Sequence, residues 1–96
     1  MRERAVAGRK FLVGGRVQGV FYRATVAHHA RELAITGYAH NLPDGRVEVL
    51  AFGSPAALEE LERRLWTGSS ASKVTSVEGA DVAPGPDGVP ATFRTG

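Results

Sequence analysis

Phe11, Leu12 and Val13 form a short apolar run inside Lys10–Gly14, and the pair Gly14-Gly15 stops it, which predicts a buried strand. From Tyr22 to Ala34 the period changes: Val26, Ala30 and Leu33 recur at helical spacing until Thr36-Gly37 breaks the pattern. Gly37–Asn41 and Arg46–Phe52 then flank Leu42-Pro43-Asp44-Gly45, a turn sequence that predicts a β-hairpin. Ser54 followed by Pro55 supplies an N-cap and a favoured first helical residue, and Leu58, Leu61 and Leu65 mark the buried stripe of a second helix that Gly68 ends. Val74–Val82 reads as a fourth strand with imperfect alternation. Pro84-Gly85-Pro86-Asp87-Gly88 makes a turn of Ala83–Pro90, and Ala91–Thr95 would add a short fifth strand. Residues 1–9 read as a flexible N-terminal arm, leaving 10–96 as the domain.

This order, strand-helix-strand-strand-helix-strand, predicts an α+β chain with both helices on one face of an antiparallel sheet. Its geometry has a functional consequence. The first two strands are joined through a helix, so they run parallel, with a right-handed crossover. A helix of about 13 residues and a strand of about six both span roughly 20 Å. The loop after the first strand, Gly15–Phe21, and the end of the second, Asn41, therefore share one edge of the sheet.

Composition narrows the chemistry. The chain has 96 residues, enough for one core, with 12 basic and 10 acidic residues and a net charge of +2. No apolar run is long enough to span a bilayer and no secretory pattern opens the chain, so a cytoplasmic monomer is the expectation. There is no cysteine, which excludes disulfides, thiolate metal sites and cysteine nucleophiles. Ten of the twelve basic residues are arginine, suited to bidentate contact with oxyanions.

A loop that opens a helix after a strand presents unpaired N–H groups and the positive end of a helix dipole, which suits an anion. Gly15 and Gly19 let such a loop, Gly15-Arg16-Val17-Gln18-Gly19-Val20-Phe21, curl around a tetrahedral phosphate; glycines after a strand also make plain turns. Arg23 sits in the first helical turn, where a cation is disfavoured, and no acidic residue lies between Val6 and Glu32 to offset it. A bound anion reverses the sign of that penalty; the alternative is an arginine snorkelling to solvent. Gly14–Gly19 fits half of a Walker A loop, but Val20-Phe21 stands where Lys-Ser/Thr should follow, so nucleotide hydrolysis is not indicated. Asn41 is at home beside a turn; at the shared edge its amide could also hold a water. His40 should face the other way, and His28 and His29 lie off the apolar stripe, so all three histidines are expected at the solvated surface. No histidine and carboxylate set has metal-ligand spacing.

An arginine, backbone N–H groups and an amide, with no cysteine, no evident metal site and no obvious general base, form a sparse site. Phosphate monoesters need very large rate enhancement. An acyl phosphate already carries a good leaving group, a carboxylate, so positioning and charge stabilisation suffice.

Gly15-Arg16-Val17-Gln18-Gly19-Val20-Phe21-Tyr22-Arg23 and Gly37-Tyr38-Ala39-His40-Asn41-Leu42-Pro43-Asp44-Gly45-Arg46-Val47-Glu48 resemble the two signatures of the acylphosphatase family, over roughly residues 10–82. The resemblance implies a ferredoxin-like two-layer sandwich that hydrolyses acyl phosphates to carboxylate and inorganic phosphate without metal or cofactor. It implies that Arg23 grips the phosphoryl oxygens with the loop backbone and that Asn41 orients the attacking water. Ala34 stands where that family usually ends a helix with glycine, Gly68-Ser69 replaces a usual Gly-Pro, and Ala91–Gly96 matches the usual last strand poorly; these departures bear on stability and on docking of the C-terminal segment. The rival class is a non-catalytic anion- or nucleic-acid-binding module of the same fold. It is supported only by the basic arm Arg2–Lys10 and lacks paired aromatics in the central strands.

Overall fold

The protein is described here by a computed structural model that covers residues 6–86 and 88–95. Its elements are β1 (Ala7–Arg16), α1 (Tyr22–Glu32), β2 (Thr36–Asn41), β3 (Val47–Gly53), α2 (Pro55–Thr67), β4 (Lys73–Val82) and β5 (Phe93–Thr95). The sheet order is β4-β1-β3-β2-β5. β3 pairs antiparallel with both β1 and β2, so β1 and β2 run parallel with β3 between them, as the helix crossover requires.

Period-two alternation divides the sheet. Phe11, Val13, Ala39, Val47, Val49 and Ala51 point to one face and are buried there against Val26, Ala30, Leu58, Leu61 and Leu65 of the helices. The helical stripes are those that the apolar spacing predicts. α2 starts as expected: the Ser54 hydroxyl accepts the Ala57 N–H at 3.1 Å, Pro55 follows, and Gly68 ends the helix.

Four expectations need correction. The sheet is mixed, not antiparallel throughout, because β5 adds to the β2 edge in parallel, with Phe93 opposite Gly37. Phe93 is buried, and that apolar anchor docks a segment whose sequence carries little strand signal. Residues 7–9 of the expected arm 1–9 belong to the sheet, since β1 starts at Ala7 and pairs Gly8 and Arg9 with β3 and β4; residues 1–5 lie outside the described residues, as does Asp87 of the expected 83–90 turn. β1 also outruns its Gly14-Gly15 stop. A register shift between these glycines lets Gly15 and Arg16 continue the pairing with Val74 and Lys73. Finally, His29 is not simply solvated: its Nδ1 lies 3.0 Å from the Arg64 guanidinium, tying α1 to α2.

Ala34 takes the left-handed conformation, φ 58°, that a helix-ending glycine would occupy. An alanine Cβ makes that conformation cost roughly 1 kcal/mol. The α1 terminus is closed around it by Leu33 N–H bonds to the His29 and Ala30 carbonyls and by the Ile35 N–H to the Ala30 carbonyl at 2.8 Å.

Candidate active site

The bulge at the end of β1 aims the chain across the edge of the sheet. Gly15, at φ 117°, is required there, because a Cβ would collide with the Lys73 carbonyl oxygen. Val17 is buried in the core and pins the loop from below. Gly19, at φ 74°, lies at the opposite extreme, with no atom within 4 Å of where a Cβ would stand.

Four hydrogen bonds from three side chains fix the loop in space. The Gln18 amide donates to the Leu42 and Arg46 carbonyls at 2.8 and 2.9 Å, lashing the loop to the β2–β3 turn. The Ser69 hydroxyl donates to the Val20 carbonyl at 2.7 Å. The Tyr22 hydroxyl, buried, donates to the Leu65 carbonyl at 2.7 Å; burial raises its pKa above the usual tyrosine range. The turn itself is stiffened by Asp44, which accepts the Arg46 backbone N–H at 3.0 Å and its guanidinium at 2.8 Å. These bonds, the side-chain one foremost, hold the Asp44 carboxyl below its usual pKa.

What the loop leaves unused is as informative as what it bonds. Phe21 precedes α1 with φ 62° and ψ 18° and offers no side-chain cap, and the first turn holds no acid. Among the described residues, the N–H groups of Val17–Phe21 meet no protein acceptor, and Arg23 makes no hydrogen bond or ion pair. A cleft of about 320 Å³ opens at this point, lined by Val17, Gly19, Phe21, Arg23, Ala24 and Thr95. A helix start without a cap, open amides and an unpartnered guanidinium in one concavity match what a tetrahedral oxyanion needs.

Comparison with known proteins decides the family. The acylphosphatase family model matches residues 9–94. An acylphosphatase of Alkalilimnicola ehrlichii is 50% identical over 86 residues, covering 90% of this chain and 93% of that protein. The solved structure of an acylphosphatase from Coxiella burnetii superposes with a TM-score of 0.86 at 32% identity, over 94% of this chain and 92% of that one. One from Bacillus subtilis gives the same score and identity over 93% and 97%. The chain belongs to the acylphosphatase family.

The sequence-derived site divides on this acylphosphatase fold. Val17, Gly19, Phe21 and Arg23 line the cleft. Gly15 and Arg16 close β1. Val20 and Gln18 turn away from the cleft, the first toward the core and Ser69, the second to the hairpin turn. Asn41 is not among the cleft-lining residues. It ends β2 opposite Val47, and alternation after buried Gly37 and Ala39 puts its side chain on the face that carries α1. One residue further on, the Leu42 carbonyl holds Gln18, so the loop and Asn41 are braced at one edge. His40 is on the other face, stacked on Tyr38 with ring centroids 4.0 Å apart.

Thr95 and Ser69 had no signal in the sequence. Each reaches the loop through pairing or contact between distant segments, Ser69 across 49 positions. A proline at position 69 would have no hydroxyl to hold Val20. Among the described residues, no group of three or more histidine or acidic side chains gathers as a metal site, and no helix is long and apolar enough to cross a membrane.

Proposed function

We propose that this member of the acylphosphatase family works by holding the phosphoryl group of an acyl phosphate in the cleft, with Arg23 and the N–H groups of Val17–Phe21 as donors and Asn41 orienting the attacking water. The observation that carries this reading is the Arg23 guanidinium, unpartnered among the described residues, at the uncapped start of α1. Charge builds on the equatorial oxygens as the phosphoryl group transfers, and donors fixed in advance stabilise it without reorganisation. Water forms the new P–O bond, the bond to the acyl oxygen breaks, and the carboxylate departs with that electron pair. The proton shed by the water passes to a phosphate oxygen, so no side chain has to act as a base. The reaction needs neither metal nor cofactor. The enzyme acts as a cytoplasmic monomer, the simplest setting for a 96-residue domain and a diffusible substrate.

Hydrolysis of acetyl phosphate in the presence of a chelator tests this. Wild type should turn over at full rate, Arg23→Ala should lose phosphate affinity as well as rate, and Asn41→Ala should lose rate while inorganic phosphate still inhibits competitively. Activity abolished by the chelator, or an Asn41→Ala enzyme with undiminished turnover, would overturn the mechanism.

A further inference from the structure

Phe21 is the most exposed large apolar side chain among the described residues, at 82%. It is also one of two non-glycine residues there with positive φ, and unlike Ala34 it stands on the rim of the cleft. An aromatic ring left in water forgoes burial, and a left-handed backbone adds strain. Both penalties fall on one residue, so its ring has work that folding does not supply.

The backbone beneath that ring is rigid. The Phe21 carbonyl accepts the Thr25 N–H at 3.1 Å and the Thr25 hydroxyl at 3.0 Å, while Ser69 clamps the Val20 carbonyl and Tyr22 is anchored to Leu65. The ring therefore projects from a fixed lip.

The remaining lining sets the chemistry. Among the described residues, the cleft is walled apart from Arg23 and Phe21 by Val17, Gly19, Ala24, Tyr22 and Thr95, none of them charged. Arg23 and the loop amides take the polar phosphoryl end, so the acyl end must leave over the uncharged lip. We propose that the exposed Phe21 ring is the acyl-group platform of this enzyme, favouring acyl phosphates whose acyl portion presents a flat apolar face, above all aromatic ones. This rests on the phosphoryl-transfer reading above and adds the substrate class. Phe21 acts as a specificity residue through stacking, and the phosphoryl donors remain those already named.

The test compares kcat/KM for benzoyl phosphate and acetyl phosphate in wild type, Phe21→Ala and Phe21→Tyr. Alanine keeps the Cβ, and with it the backbone strain and the loop N–H groups, but removes the ring. Ring stacking should make the benzoyl-to-acetyl ratio fall about five- to tenfold in Phe21→Ala and return in Phe21→Tyr. Thermal melting confirms that each variant is folded. A ratio within about twofold of wild type in Phe21→Ala, or a fallen ratio that Phe21→Tyr does not restore, overturns the platform while leaving the phosphoryl site intact. Failure of wild type to hydrolyse either substrate overturns the underlying reading instead.

Discussion

The two helices of this protein begin in opposite ways. α2 is closed by its own chain: Ser54 lies in the extended region, its hydroxyl takes the Ala57 N–H, and Pro55 occupies a position that needs no donor. α1 begins at a left-handed Phe21 with no side-chain cap, and its first turn carries Arg23. Neither first turn contains an acid, so both keep a positive helix end. The difference is that α2 satisfies its end internally, whereas α1, among the described residues, keeps amides and a cation open, and its start is held by the Gln18 and Ser69 bonds to the loop and by its own Tyr22 hydroxyl on Leu65. A helix start built for stability can be told from one built for a ligand by where its donors go.

Replacing Arg23 should break this contrast with the largest effect. Arg23→Ala should cut turnover of an acyl phosphate by about 100- to 1000-fold, the scale of losing one preorganised donor to a developing oxyanion. In phosphate-free buffer it should leave stability unchanged or raise it by up to about 0.5 kcal/mol, since a cation leaves a positive helix end. Added phosphate should raise the melting temperature of wild type and not of the variant. A variant that is destabilised without phosphate would mean that Arg23 serves the fold.

A smaller effect is expected at Tyr22, which anchors the open helix start. Tyr22→Phe should lose roughly 1 to 2 kcal/mol, because the Leu65 carbonyl forfeits its buried donor. The same phenol makes the fold sensitive to alkali. Burial lifts its pKa in the folded state above the ordinary 10.0, so the unfolded chain ionises first. Its contribution is complete below pH 10 and declines as pH rises beyond that value, by at most about 1.4 kcal/mol per unit. Urea unfolding across this range should show a shallower decline in Tyr22→Phe, and equal slopes would refute the assignment.

At the closed helix start, Ser54→Ala should cost about 1 kcal/mol in chemical denaturation and leave kcat/KM untouched. A loss of activity there would show that the two starts are coupled. The smallest change lies at the far end of α1. Ala34→Gly should gain somewhat under 1 kcal/mol by relieving the left-handed alanine, offset in part by glycine's greater freedom when unfolded, with activity unaffected.

The contrast also marks how far the residues could be read in one dimension. Local signals are short-range: apolar period, Ser54-Pro55, the Pro-Asp-Gly turn and Gly68 each act within a turn or two of chain. Such signals located both helices, four strands and the hairpin, and a helix crossover was enough to bring Asn41 to the edge shared with the loop. Arg23 stood out because charge and helix position conflict within a few residues. The places where this reading stopped short involve partners far apart in the chain. β1 outran its two glycines because Val74 and Lys73 offered hydrogen bonds that no pattern around residue 15 encodes.

By itself, then, the amino-acid order determined the α+β scheme, the apolar faces and the identity of the loop and its cation, since propensity and periodicity are properties of neighbouring residues. Only the folded chain decided that β5 joins in parallel, that Ser69 and Thr95 meet the loop, that Gln18 braces the hairpin rather than facing the cleft, and that the Phe21 ring stays in solvent. Each of those depends on which surfaces remain after the core has closed, and that is settled by competition for burial and hydrogen bonds across the whole molecule.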